Sequence, residues 1–200
     1  MAEITATEVK KLRQQTGLGM MDCKRALQES DGEIDKAVEY LRKQGMSAVE
    51  KRAGREASEG LIASYIHQGS RLGVMVEVNC ETDFVARTDD FQEFAKDVAM
   101  HIAASQPLAV DREGIPAEEV EKEKAIFLEQ AKNEGKPEHI AEKIVAGRLE
   151  KFYQENCLLE QVFVKNSDQT VGELVTEMTA KIGEKISVRR FTRFVLGTDA

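Results

Sequence analysis

The sequence predicts an α+β fold: a small three-helix module at the N-terminus, then an α+β core with a small antiparallel sheet packed by helices. Three observations point there. Apolar residues recur at three- and four-residue steps through roughly the first fifty residues, in short runs broken by glycine. Two alternating runs, EGLIASYIH and RLGVMVEVN, flank Gln68-Gly69-Ser70 and read as a hairpin. Four further helical patterns and one late strand, KISVRRFTRFVLG, follow.

In chain order, TATEVKKLRQQTG opens with Thr5 and carries Glu8 three residues on, a capping-box pattern, with Val9 and Leu12 on one face. Gly17 and Gly19 break the chain. MMDCKRALQES presents Met20, Met21, Cys23 and Leu27 at helical steps, and DGEIDKAVEYLRKQG repeats the spacing at Ile34, Ala37, Val38 and Leu41. Gly45 is the expected C-terminal stop. Residues 46–59 are small, charged and glycine-containing and read as a partly helical linker. The expected division is therefore 1–45 as the helical module, 46–59 as the linker and 60–200 as the core.

Within the core, TDDFQEFAKDVAMHIAAS is amphipathic: Phe91, Phe94, Ala95, Val98, Ala99 and Ile102 share a stripe, with Thr88 as its cap. Pro116 and the acids after it open the next helix, and Gly135 ends it. A further helix turns Ile140, Ile144, Leu149 and Phe152 inward, and Thr170 caps one running through Ile182.

Composition narrows the function. Apolar content of 42% and charged content of 32% are those of a folded soluble protein. The net charge of -8 argues against a general nucleic-acid coat, which needs a basic face. The charge is uneven: residues 1–55 carry 11 basic and 9 acidic side chains, a net +2, and the remainder carries -10. Cys23, Cys80 and Cys157 lie far apart, with no zinc spacing and no disulfide framework, and read as reduced cytosolic thiols; an intermolecular bridge is the minority reading. No apolar run approaches membrane-spanning length, so a cytoplasmic protein is expected.

Enzymatic chemistry fits poorly. His67, His101 and His139 fall in separate elements, and no nucleophile, paired-carboxylate or metal-ligand constellation assembles. RRFTRF interleaves Arg189, Arg190 and Arg193 with Phe191 and Phe194, which suits a single nucleic-acid strand; core phenyls and charged guards on an edge strand fit it better in an acidic chain. A module that acts on a protein partner remains. For it the informative stretch is VNCETDFVARTDDF, where Asp83 and Phe84 sit side by side at a strand end. A core phenyl with Asp83 as a helix cap fits this spacing. So does a carboxylate and ring held as a wedge.

VKKLRQQTGLGMMDCKRALQESDGEIDKAVEYLR and EVNCETDFVA resemble the two signatures of the elongation factor Ts family. GKPEHIAEKIVAGRLEKFYQENCLLEQVFV and VRRFTRFVLG resemble its later part, so the likeness covers nearly the whole chain. The resemblance implies a guanine-nucleotide exchange factor for elongation factor Tu, with no cofactor and no bound metal of its own. It implies that the first three helices are a ubiquitin-associated-like (UBA-like) docking module. Thr82, Asp83, Phe84 and Val85 match the segment that dislodges magnesium in the partner GTPase, and Arg13, Gly17, Met20 and Met21 fall in the N-terminal contact region. Longer members have a duplicated core; this chain has one hairpin, so the resemblance also implies a homodimer, with no membrane or direct nucleic-acid partner. A plain protein adaptor and a translation-associated RNA-binding protein are the alternatives.

Overall fold

The computed structural model describes residues 4–52, 54–135 and 137–198. The fold class is α+β, as expected, with a three-stranded antiparallel sheet in the order β1-β2-β3. In chain order the elements are α1 (Ala6–Thr16), α2 (Met20–Glu29), α3 (Ile34–Arg52), β1 (Glu59–Ile66), β2 (Leu72–Cys80), α4 (Asp83–Ala86), α5 (Asp89–Ser105), α6 (Ala117–Asn133), α7 (Glu138–Asn156), α8 (Val171–Ile182) and β3 (Ser187–Val195). The chain forms two compact units. One takes Met1–Leu61, Asn79–Gln92 and Val175–Ser187; the other takes Ile62–Val78, Glu93–Leu174 and Val188–Ala200.

The first unit begins with the three helices, which fit a UBA-like module. Thr5 and Glu8 close the capping box on α1: the Glu8 carboxylate accepts from the Thr5 N–H at 2.8 Å, and the Thr5 hydroxyl accepts from the Glu8 N–H at 3.3 Å. Such a cap is worth about 1 kcal/mol. Val9, Leu12, Cys23, Ala26, Leu27, Ala37 and Leu41 form the core of the three helices. The expected stop at Gly45 is not there, because α3 runs on to Arg52. A Cβ on Gly45 would lie 3.5 Å from the Ala180 Cβ and 3.8 Å from Thr176 Cγ2. The glycine lets α3 pass close to the end of α8 and does not end the helix.

In the second unit, β1 and β2 turn through Gly69 and Ser70, both in the left-handed region. Ala63, Val74, Val76 and Val78 are buried on one face of the sheet. The α5 stripe in this unit, from Phe94 to Ile102, is buried. Helices α6 and α7 pair as an antiparallel hairpin. Its inward α7 positions include Ala141 and Val145, whereas Ile140, expected inside, is exposed. A helix only partly covered on one side buries its small residues against the neighbour and leaves the first turn outside. A capping box at Thr170 and Glu173 starts α8.

His101 is fully buried on α5. Gln161 donates its amide protons to the carbonyls of Ser105 at 3.2 Å and Glu155 at 2.7 Å, so its oxygen faces His101 Nε2 at 3.0 Å. The Val164 N–H donates to His101 Nδ1 at 3.3 Å. Nδ1 must therefore be the acceptor and Nε2 the donor, which is the neutral ring. Burial holds the imidazole below its ordinary pKa, against a smaller opposite pull from Gln161. The unfolded chain thus binds the extra proton first. This part of the stability is fully present above the unfolded histidine value of about 6.5 and is lost as pH falls through the lower folded value. We expect the urea midpoint to fall between about pH 7 and about pH 5, by at most about 1.4 kcal/mol per pH unit from this residue. His101→Gln, which keeps a donor and an acceptor, is expected to flatten that slope; an unchanged slope would mean the ring takes up its proton equally in the folded and unfolded states.

Candidate functional site

The site grows from the end of β2, in the first unit. A strand that leaves its sheet carries backbone N–H groups with no ladder partner, and these must be satisfied elsewhere. Here a carboxylate from the loop after α8 meets them. Glu184 Oε2 accepts from the N–H of Glu81 at 3.1 Å and of Thr82 at 3.0 Å, and its Oε1 accepts from the Thr82 hydroxyl at 2.7 Å. The exchange is reciprocal. The Glu81 carboxylate accepts from the Lys185 N–H at 2.6 Å and from Arg55 Nη1 at 3.1 Å. Those bonds, the Lys185 N–H foremost, hold the Glu81 carboxyl below the usual carboxylate range against partial desolvation. Lys185 Nζ in turn donates to the Arg55 carbonyl at 2.8 Å.

On this base sits the single helical turn α4. Its cap is Thr82, whose hydroxyl oxygen accepts from the Val85 N–H at 3.4 Å. Asp83, which the sequence offered as a cap, instead occupies the first turn and accepts from Arg87 Nη2 at 2.7 Å. On the far side the Thr88 hydroxyl donates to the Val85 carbonyl at 2.8 Å and accepts from the Phe91 N–H at 3.4 Å, capping α5 as expected. Phe84 is then left with nowhere to pack: it is 77% exposed. The core-phenyl reading of Phe84 is thereby overturned. The turn is fastened at both ends, while the largest apolar side chain on it points into solvent. A ring so exposed gains nothing for its own fold.

The N-terminal candidates form a second corner of the same unit. Gly17 ends α1 at φ 69°, and its N–H donates to the Arg13 carbonyl at 2.8 Å. Gly19 then starts α2, and Met20 and Met21 are its first two residues, 48% and 69% exposed. Arg13 and Gly17 are exposed as well. Lys181 runs alongside Gly17, within 3.5 Å of where a Cβ would sit, and its Nζ pairs with Asp90 at 2.9 Å.

Reading the sequence missed Glu81, Glu184, Arg55 and Lys185. Glu81 adjoined the singled-out motif, but Glu184 lies 102 positions from Thr82 with no local pattern to mark it. Arg189 and Arg190 both pair with Glu77, at 3.1 and 2.7 Å, so they are committed within the sheet; Phe194, expected inside, is exposed. All three cysteines are free and buried. Burial above all pushes the thiols of Cys80 and Cys157 up to about 11. Among the described residues no helix is long and apolar enough to cross a membrane.

The sequence model of the family described as Elongation factor TS matches residues 46–198. Curated relatives bearing the name Elongation factor Ts are similar along almost the whole chain. The one from Moorella thermoacetica is 60% identical over 194 residues, 97% of this chain and 96% of the relative. That from Alkaliphilus oremlandii is 61% identical over 195 residues, 98% of this chain and 90% of the relative. That from Desulfotalea psychrophila is 58% identical over 194 residues, 97% and 98% respectively.

Because Phe84 makes no core contact of consequence, Phe84→Ala is expected to change the free energy of unfolding by less than about 0.5 kcal/mol. Chemical denaturation followed by circular dichroism checks this. A loss of about 3 kcal/mol or more would be that of a core phenyl.

Proposed function

Since the chain belongs to the elongation factor Ts family, with the role in translation elongation that follows, we propose that it is the guanine-nucleotide exchange factor of elongation factor Tu. The observation that carries this reading is the exposed Phe84 on a turn fastened at both ends. The ring enters the GTPase beside its nucleotide site and shifts the elements that hold the magnesium ion. In that protein the ion offsets much of the phosphate charge, so its displacement weakens the hold on GDP. Asp83 exchanges its exposed pairing with Arg87 for groups freed in the GTPase. Thr82 and Val85 fix the turn. Arg13, Gly17, Met20 and Met21 dock the N-terminal module, residues 1–45, with 60–200 as the exchange and dimerisation core. Methionines suit such a role because their unbranched, polarisable chains conform to an apolar partner surface.

Linkage fixes the energetics. Whatever weakens GDP in the complex weakens the factor's grip on the GDP-bound GTPase by the same factor, so the nucleotide-free GTPase is bound best. No covalent bond changes, the protein is not an enzyme in that sense, and the reaction belongs in the cytoplasm. Release of fluorescent GDP from elongation factor Tu is the direct test. Phe84→Ala is expected to slow stimulated release about tenfold to a hundredfold, the loss of a buried aromatic anchor at roughly 1.4–2.7 kcal/mol. Release as fast as with the unaltered chain would remove the wedge.

A second copy of this chain is the further partner. With His67 opposite Leu72 and Arg71 opposite Leu196, Ile66, Gly73 and Phe194 stand in one row of the sheet and Met75 in the next. Ile62, Ile66, Met75 and Phe194 are all exposed there. Glu77, opposite Ile62, is paired with Arg189 and Arg190, so a largely apolar sheet face with its charges neutralised is left open, which supports a self-complementary pairing. Sedimentation at micromolar concentration should give twice the 22.3 kDa chain mass, and Met75→Glu should halve it. A monomeric unaltered chain would end this part of the reading.

A further inference from the structure

We propose that Glu184 is a positioning residue for nucleotide exchange: through Thr82 it sets the turn that presents Phe84 to the partner GTPase. The inference rests on the reading of Phe84 given above and extends it to a residue far away in sequence.

The geometry runs in one direction. A threonine hydroxyl has a single proton. In Thr82 that proton goes to Glu184 Oε1 at 2.7 Å, which leaves the oxygen lone pairs for the Val85 N–H at 3.4 Å. Glu184 therefore decides which way the Thr82 hydroxyl points, and that hydroxyl is the cap of α4. The other oxygen of Glu184 fixes the two backbone N–H groups that lead into the turn. A helix of four residues cannot hold itself, because the first turn costs more order than its bonds return. Its geometry must come from outside, and on the β2 side Glu184 supplies it.

The support is itself supported. Glu81 returns the bond by accepting from the Lys185 N–H at 2.6 Å, immediately after Glu184. Arg55 pairs with Glu81 at 3.1 Å and gives its carbonyl to Lys185 Nζ at 2.8 Å. Arg52 Nε donates to the Gly183 carbonyl at 3.1 Å, on the other side of Glu184. Every residue from Gly183 to Lys185 is thus tied down, so the carboxylate is presented from a fixed loop. Charge-assisted bonds of this kind are shorter and more directional than neutral ones. None of them reaches the phenyl ring, so Glu184 acts only through the turn.

The experiment is a double-mutant cycle on stimulated GDP release, with the full chain and elongation factor Tu loaded with fluorescent GDP. Glu184→Gln keeps the shape, but with its amide oxygen on the two backbone N–H groups its NH2 faces the Thr82 hydroxyl oxygen, where it competes with the Val85 N–H and turns the hydroxyl proton away. It is expected to lower the maximal release rate about fivefold, the size of coupling seen for residues in one hydrogen-bond network. In a Phe84→Ala background the same change should do nothing further, because the ring it positions is gone. Thr82→Ser should release GDP like the unaltered chain and Thr82→Val like Glu184→Gln, which tests the same link from its other end if the Glu184 variant does not fold. A loss of equal factor in both backgrounds, or no loss with Glu184→Gln and Thr82→Val, overturns the positioning role while Phe84 keeps its own. If Phe84→Ala itself has no effect, the reading of the ring fails, and the positioning role falls with it.

Discussion

A strand that ends inside a protein must find partners for the backbone groups it carries out of the sheet, and here two glutamates supply them across 102 positions of sequence. Glu184 takes the donors of Glu81 and Thr82, and Glu81 takes the donor of Lys185. Neither segment would be ordered alone, since each is too short for regular structure. Together they fix the direction in which the chain leaves β2 and hence the direction of Phe84. The site is therefore a product of backbone accounting: once the polar groups are satisfied inward, the ring has only outward to go.

Two of the exposed apolar surfaces differ in physical character. Phe84 is a single ring on a fastened turn, suited to entering a cleft. The sheet face with Ile62, Ile66, Met75 and Phe194 is broad and regular, suited to covering by a similar face. The charges beside both are paired. Arg189 and Arg190 are held by Glu77, and Arg87 is held by Asp83. The buried thiols, pushed toward the neutral form, take no part in either surface.

Much of the fold was legible because its causes are local. The boxes at Thr5 and Thr170, the hairpin turn at Gly69 and the α5 stripe each depend on residues within a few positions of one another. The misreadings share the opposite cause. Gly45 looked like a helix end, but a close approach by α8 explains it. Ile140 and Phe194 looked like core residues, but the faces they occupy have no cover within the chain's described residues. Asp83 looked like a cap, yet Thr82 was the better one once Glu184 had turned its hydroxyl.

The sequence by itself determined the fold class, the element types and the stretch from Thr82 to Val85 as the place of interest, because periodicity, capping and motif spacing act over a few residues. Only the tertiary structure decided that Phe84 stands outside the core, and which residues hold it there. Those partners lie on Gly183, Glu184, Lys185 and Arg55. A hydrogen bond across a hundred residues leaves no periodic trace; it exists only when the folded backbone brings donor and acceptor to the same point.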